Sequence, residues 1–185
     1  MRVEQLSREF EIEFDACAYD LRPGLPPEGL PREQAYPGRA YPPGYLEHLR
    51  QTAAETGIQM QRPDLIPNTH KAHQATELAS EHGRLAEFQR AVFRAYWEEG
   101  RNIGLVDVLC ELAGECGLDA GELRAALDDG RYAARVEEQM QWSRSASVGG
   151  VPTFVFNDRF AVVGAQDYLV FQDIAGRIAR GEIKG

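Results

Sequence analysis

From residue 45 to about 146 the sequence reads only as helix, and every strand-forming run lies outside that stretch. Residues 45–56 are stopped by Gly57, and 68–82 open on Asn68, a good helix-capping residue, and stop at Gly83. In 85–99, Leu85, Phe88, Val92 and Tyr96 share a face that Phe93 and Trp97 widen, which predicts a core helix closed by Gly100. Helices over 105–115 and 119–127 follow, parted by Gly117, and 132 to about 146 is the last. Ahead of this block Val3 and Leu6 sit at helical spacing. Then Phe10-Glu11-Ile12-Glu13-Phe14-Asp15 alternates apolar with acidic, a period of two that predicts a strand running on to Leu21. Behind the block, Thr153-Phe154-Val155-Phe156 and Phe160-Ala161-Val162-Val163 flank Asn157-Asp158-Arg159; Asn and Asp tolerate positive φ, so a hairpin is expected. A closing helix from 166 or 167 to 180 turns Tyr168, Phe171, Ile174, Ala175 and Ile178 inward. The order is strand, helical unit, hairpin, helix.

Between the first strand and the helices, seven of the ten prolines fall from Pro23 to Pro43. A loop so long is either a stiff connector or the wall of a cleft, since long loops in compact domains are often functional. The 185 residues suffice for one domain or a domain with a large insertion, and no internal repeat divides them. Asp and Glu number 29 against 20 Lys and Arg, a formal charge of −9, so no long basic stripe exists to neutralise phosphates. Nucleic acid and anionic membrane are therefore not expected partners. Charges interrupt the opening Met1-Arg2-Val3-Glu4-Gln5-Leu6-Ser7-Arg8-Glu9, which predicts neither a signal peptide nor a membrane span and makes the cytoplasm the expected location. Cys17, Cys110 and Cys116 are too few for a secreted disulfide framework, and none forms C-x-x-C. Cys17 reads as a small packing residue of the strand. Cys110 and Cys116 lie about 240° apart around an ideal helix, so a bond between them requires the helix end to unwind.

The run Ser147-Val148-Gly149-Gly150-Val151-Pro152-Thr153-Phe154-Val155-Phe156, followed by Val163-Gly164-Ala165-Gln166, resembles the C-terminal signature of the thioredoxin-like DsbA family. The FrnE-type branch is the most similar, with 2-hydroxychromene-2-carboxylate isomerases and kappa-class glutathione transferases as cousins. Leu21-Arg22-Pro23 with Pro26-Pro27-Glu28-Gly29, Asn68-Thr69 with Ala72-His73, and Phe93-Arg94-Ala95-Tyr96 with Glu99-Gly100-Arg101 extend the match over nearly the whole chain. The resemblance implies an α/β, thioredoxin-like fold with a large all-helical insertion. Residues 1–44 and 147–185 would form the thioredoxin-like part and 45–146 the insertion, with a cis peptide between Val151 and Pro152. It also implies a first strand and a C-x-x-C, or a Ser in the glutathione-dependent branch, and the sequence contains neither. The opening residues read as mid-helix, with no cap or turn, so a late start codon is the favoured explanation. A truncation completed by another subunit and a binding protein without the nucleophile are the alternatives.

The function so implied is thiol-disulfide oxidoreduction, with no catalytic residue and no resident metal among these residues. The alternatives are a glutathione-dependent isomerase or transferase, which would bring glutathione, and a non-catalytic peptide-binding module. The expected partner is a protein or small-molecule thiol or disulfide, and a homodimer is compatible with this. Val151, Pro152 and Thr153 would hold the substrate backbone, with Asn68 and His73 contributed by the helical unit. Against this stands a plain reading in which Asn68 caps a helix and His73 is half-buried. Gln166 precedes the last helix, whose free amides suit a carboxylate or a thiolate-linked peptide, against a simple turn and cap. His70, His73 and Glu77 fall along one helical face at a spacing a metal can use, yet a complete site needs more than spacing. Tyr96, Trp97 and Trp142 are assigned to the core.

Overall fold

The computed structural model describes residues 2–183, in two compact units: residues up to Leu21 with those from Gln139 onward, and Arg22–Glu138 between them. The proline-rich residues 22–44 thus fold with the helices, and residues 139–146 with the chain ends. Among the described residues no helix is long and apolar enough to cross a membrane.

In the helical unit the proline-rich stretch is a tethered strap rather than a bare loop. A two-residue strand β1 (Leu30–Pro31) leads into the short helix α2 (Arg32–Ala35), and after α3 (Tyr45–Glu55) a second short strand β2 (Leu65–Ile66) pairs antiparallel with β1. Arg32 reinforces the ladder, its amide donating to the Asp64 carbonyl and its Nε to the Pro63 carbonyl at 2.7 Å. Gly29 is required at the approach: φ is +78°, and a Cβ there would stand 2.5 Å from the Ile66 carbonyl oxygen.

The core of this unit is shared by α4 (His70–Glu81), α5 (Leu85–Trp97), α6 (Val106–Glu115) and α7 (Ala120–Asp128). Ala72, Ala75 and Ala79 line the buried face of α4, and small side chains there leave room for Leu78, Phe88, Leu109, Leu112 and Leu123, which are fully buried. On α5 the buried face is Phe88, Ala91 and Ala95, with Val92 and Tyr96 at its margin. Phe93, expected to widen it, is 62% exposed because it lies on the far side of the helix. α7 begins at Asp119, whose carboxylate accepts from the Gly121 and Glu122 amides at 2.7 and 2.9 Å. α6 stays helical through Glu115, so the unwinding that a Cys110–Cys116 bond requires does not occur and no disulfide joins them.

In the unit built from the chain ends, α1 (Arg2–Glu9) and α9 (Tyr168–Ala179) pack with a hairpin of β3 (Thr153–Phe156) and β4 (Phe160–Val163). Asn157 and Asp158 both take positive φ, the turn chemistry expected from sequence. Leu6, Val162, Phe171 and Ala175 form the centre, and the Phe171 ring meets Phe154 edge-on at 4.8 Å. α8 (Ala133–Ser145) carries the boundary between the two units.

One expectation fails here. The strand read over residues 10–21 does not form, and the segment has no regular secondary structure. Its alternating pattern marks two faces, but a strand also needs a neighbour for its backbone groups. Residues 11–16 make no hydrogen bond among the described residues, and the sheet of this unit is β3 with β4 alone.

Gly29→Ala should lower unfolding free energy by more than Gly24→Ala. Both glycines have positive φ, which alone costs an alanine on the order of 1 kcal/mol, but Gly24 has open space around it. Equal losses in urea titrations would show that the β1–β2 ladder tolerates the Cβ. Tyr132 gives a pH test in the same unit: its hydroxyl donates to Glu81 at 2.6 Å. Burial first, then the Glu81 hydrogen bond and charge, push this phenol from 10.0 up to about 12. A pKa raised by folding gives stability that is intact below pH 10 and lost as pH rises through about 12. Unfolding free energy should therefore fall less steeply over that window in Tyr132→Phe than in the parent.

Candidate functional site

The end of α8 sets the site. Its last turn closes with Ser147 in the left-handed region (φ 56°), the Val148 amide reaching back to the Ser143 carbonyl at 3.0 Å and the Ser147 amide to Arg144 at 3.1 Å. This is a Schellman closure, with serine where glycine is usual. The Tyr19 hydroxyl donates to the Val148 carbonyl at 3.0 Å, and the Gln139 side chain accepts from the Ala18 amide at 2.8 Å, so residues 18 and 19 are tied to the start of the next segment. Gly149 and Gly150 follow, then Val151 and Pro152, joined by a cis peptide.

Hydrogen bonding beyond this point fixes which backbone groups remain available. Thr153 Oγ1 donates to the Gly150 carbonyl at 2.7 Å, and the Gly164 amide donates to the Pro152 carbonyl at 2.7 Å. In an antiparallel pair, residues alternate between bonding the partner and facing away. The Pro152–Gly164 bond and the register Phe154↔Val162, Phe156↔Phe160 therefore commit Pro152, Phe154 and Phe156 to β4. Thr153 and Val155 point their N–H and C=O groups away from it. Val151, 51% exposed, has no hydrogen-bond partner for either backbone group among the described residues.

Those groups face a cleft of about 800 Å³. One wall is Val151, Thr153 and the rest of β3; the other is residues 10–15 with Cys17 and Tyr19. Leu6, Phe171 and Ala175 lie at its base, and Trp142, Ser143 and Val148 also line it. Four carboxylates, Glu11, Glu13, Asp15 and Asp158, are among the lining residues, and no Lys or Arg is among the described ones.

The model of the DSBA-like thioredoxin domain matches residues 1–175. The chain belongs to that family. Over 172 residues, 91% of this chain and 84% of the relative, it is 27% identical to the uncharacterized protein YwbO of Bacillus subtilis (strain 168). Among solved structures, a probable DsbA oxidoreductase of Streptomyces coelicolor, SCO1869, superposes with a TM-score of 0.86 at 28% identity, covering 100% of this chain and 84% of its own. A 2-hydroxychromene-2-carboxylate isomerase superposes with a TM-score of 0.72 at 21% identity over 98% and 88% of the two chains, a likeness of fold. The fold is thus the DSBA-like, α/β thioredoxin type, helix-rich with small sheets.

Within this DSBA-like chain the residues singled out from sequence separate. Val151 and Thr153 line the cleft, whereas the Pro152 carbonyl is turned to β4. Gln166 is not a lining residue; its Nε2 donates to the Val163 carbonyl at 2.9 Å. The first turn of α9 is capped by its own Asp167, which accepts from the Leu169 amide at 3.0 Å. Asn68 and His73 belong to the helical unit. Asn68 sits one residue before the N-cap Thr69, yet its Oδ1 accepts from the His70 amide at 2.9 Å and its Nδ2 donates to the Leu25 carbonyl at 2.7 Å. The His73 ring is 3.4 Å from the Thr69 hydroxyl. Glu77, buried, is held by Arg135 Nε at 2.7 Å.

Two residues differ from expectation. Cys17, read as a packing residue, is exposed on the cleft wall because the strand that would have buried it does not form. Trp142, read as core, is 40% exposed and lines the same cleft. The carboxylate lining escaped the sequence reading although the acidic positions of the alternation at 11, 13 and 15 signal it.

The thiols should divide by reactivity. Burial, above all, pushes the Cys110 and Cys116 thiols up, leaving less thiolate at neutral pH. With an aromatic disulfide reagent near neutral pH, one thiol should react fast and two slowly, and Cys17→Ser should abolish the fast phase. A fast phase surviving in Cys17→Ser would assign it to the helical unit.

Proposed function

We propose that this chain carries the substrate-holding part of a DsbA-type thiol-disulfide oxidoreductase acting on a protein or small-molecule disulfide. The observation that carries the reading is Val151, in a DSBA-like chain: exposed at the cleft, with amide and carbonyl both without partners among the described residues. An extended substrate segment pairs its main chain with those two groups, as an added strand pairs with a sheet edge. Its disulfide is thereby brought alongside the cleft.

The redox step needs two thiols. A thiolate attacks one substrate sulfur, a new S–S bond forms as the old one breaks, and the leaving sulfur departs as thiolate. A second thiolate attacks the mixed disulfide, so the substrate leaves reduced and the attacking pair becomes a disulfide. A C-x-x-C would supply both thiols, and these 185 residues contain none. Cys17 alone supplies one.

Two measurements on the 185-residue chain test this reading. An extended peptide with an alkylated cysteine, which cannot react, should shift the amide resonances of Val151 and Thr153. Insulin reduction by dithiothreitol should proceed no faster with the chain than without it. Val151 unmoved by the peptide, or turnover by the chain, contradicts the proposal. Glutathione shifting Val151 where the peptide does not would transfer the reading to a glutathione-dependent isomerase or transferase.

A further inference from the structure

The strap of the helical unit and the residues just before β2 carry a cluster that the oxidoreductase reading does not use. Arg22 Cζ lies over the Tyr36 ring, 3.7 Å from its centroid. Arg39 Cζ is 5.2 Å from the centroids of both Tyr36 and Tyr41, and Arg62 Cζ is 5.4 Å from that of Tyr41. Tyr41 in turn stacks on Tyr45, with centroids 5.3 Å apart and planes 3° from parallel. All six residues belong to the unit Arg22–Glu138. Guanidinium and ring thus alternate in a row, with Arg39 shared between two rings and the Tyr41–Tyr45 stack at one end.

The row runs against the charge of the chain. With 29 Asp and Glu to 20 Lys and Arg, carboxylates are in excess, and elsewhere in the same unit guanidiniums take them: Arg94 pairs with Glu115 at 2.9 Å and Arg135 with Glu77 at 2.7 Å. Arg39 and Arg62, both exposed, enter no ion pair among the described residues, and no acidic residue lies between Glu33 and Glu47 in the sequence. Arg32, four positions before Tyr36, adds a cation whose Nη2 is buried without a hydrogen-bond partner among the described residues. A guanidinium laid on a ring uses its face there and keeps its edge, where the N–H donors are, for an oxygen acceptor. The planar fork is also pre-organised, so less side-chain freedom is lost for each hydrogen bond to an anion.

The layout of the row narrows the occupant. One carboxylate is satisfied by one fork, whereas positive charge spread from Arg22 through Arg39 to Arg62 matches phosphates in succession. Tyr45, covered by Tyr41 on one face and 41% exposed, offers the other face to an aromatic base. We propose that residues 22–62 carry a binding site for a nucleoside diphosphate, its phosphates on Arg22, Arg39 and Arg62 and its base stacked on Tyr45. A long nucleic acid would extend past the row into a chain of net charge −9 and be repelled, which a mononucleotide avoids. The site shares no residue with the Val151 end, so it stands or falls apart from the oxidoreductase reading.

The test titrates adenosine diphosphate into the 185-residue chain in phosphate-free buffer, with calorimetry reading affinity and NMR reading the site. Shifts should fall on the Nε–H groups of Arg22, Arg39 and Arg62 and on the Tyr45 ring. Arg39→Gln and Arg62→Gln should each weaken binding at least about tenfold, as loss of a charge-assisted hydrogen bond does. Tyr45→Ala should weaken it about tenfold through lost stacking. Pyrophosphate should bind more weakly than the nucleotide and be indifferent to Tyr45→Ala. Arg50→Gln removes an exposed guanidinium of α3 that pairs with Glu47, and should leave the affinity unchanged. Circular dichroism and a urea midpoint matching the parent certify the fold of each variant. No binding at millimolar nucleotide, or undiminished binding by Arg39→Gln and Arg62→Gln, overturns the proposal and leaves the row a tether of the strap. An equal loss in Arg50→Gln overturns it in favour of general charge attraction. Equal affinity for pyrophosphate overturns the assignment of a base. Tighter binding of a phosphotyrosine peptide, shifting the same arginines, overturns it in favour of a phosphorylated protein partner.

Discussion

A β-strand offers hydrogen-bonding groups on two edges, and each edge needs a partner or water. Among the described residues β3 finds a partner on one edge only. The bond from the Gly164 amide to the Pro152 carbonyl fixes the phase of the hairpin, and that phase decides that Thr153 and Val155 face the cleft. Packing on Phe171 holds the hairpin against α9, with Leu6 of α1 in the same cluster. A lone hairpin is marginal in water, so these two helices keep β3 in place while one edge stays bare. The availability of Val151, the shape of the cleft and the failure of residues 10–21 to form a strand all descend from that half-satisfied edge.

The charge of the cleft bears on what can enter it. Glu11, Glu13, Asp15 and Asp158 act over roughly a Debye length, about 8 Å at physiological salt, which covers much of a cleft this size. Glutathione carries two carboxylates against one ammonium and meets repulsion there. A neutral or basic stretch of protein does not. Under the proposed oxidoreductase reading, these described carboxylates favour a polypeptide over an anionic tripeptide in the cleft.

Apart from the strand expected over residues 10–21, which does not form, the order of elements was legible from periodicity and turn chemistry. Phe88 marks the buried face of α5, Asp119 caps α7, and Asn157-Asp158 closes the hairpin through positive φ, each a local effect that sequence encodes directly. The short β1–β2 pairing was not legible, because two residues such as Leu30-Pro31 carry no period and their ladder depends on Leu65 and Ile66, more than thirty positions away. At the candidate site, Val151 and Thr153 could be chosen from the motif around them, but the exposure of Cys17 and Trp142 could not. Burial of those side chains depends on a neighbouring strand, which composition and spacing do not report.

The pattern of residues 10–15 shows where local information ends. Phe10 and Ile12 pack toward Leu6 and Phe171 while Glu11, Glu13 and Asp15 are exposed, but Phe14 is 47% exposed too, so the two faces that alternation encodes extend only as far as Ile12. What is absent is the ladder. Side-chain alternation is set residue by residue, but backbone pairing requires a second strand at about 4.8 Å, and the edge at Thr153 and Val155 lies across an 800 Å³ cleft. Part of the amphipathicity of a strand is thus present in a segment whose residues 11–16 make no hydrogen bond among the described residues, because side-chain pattern is local and backbone pairing is not.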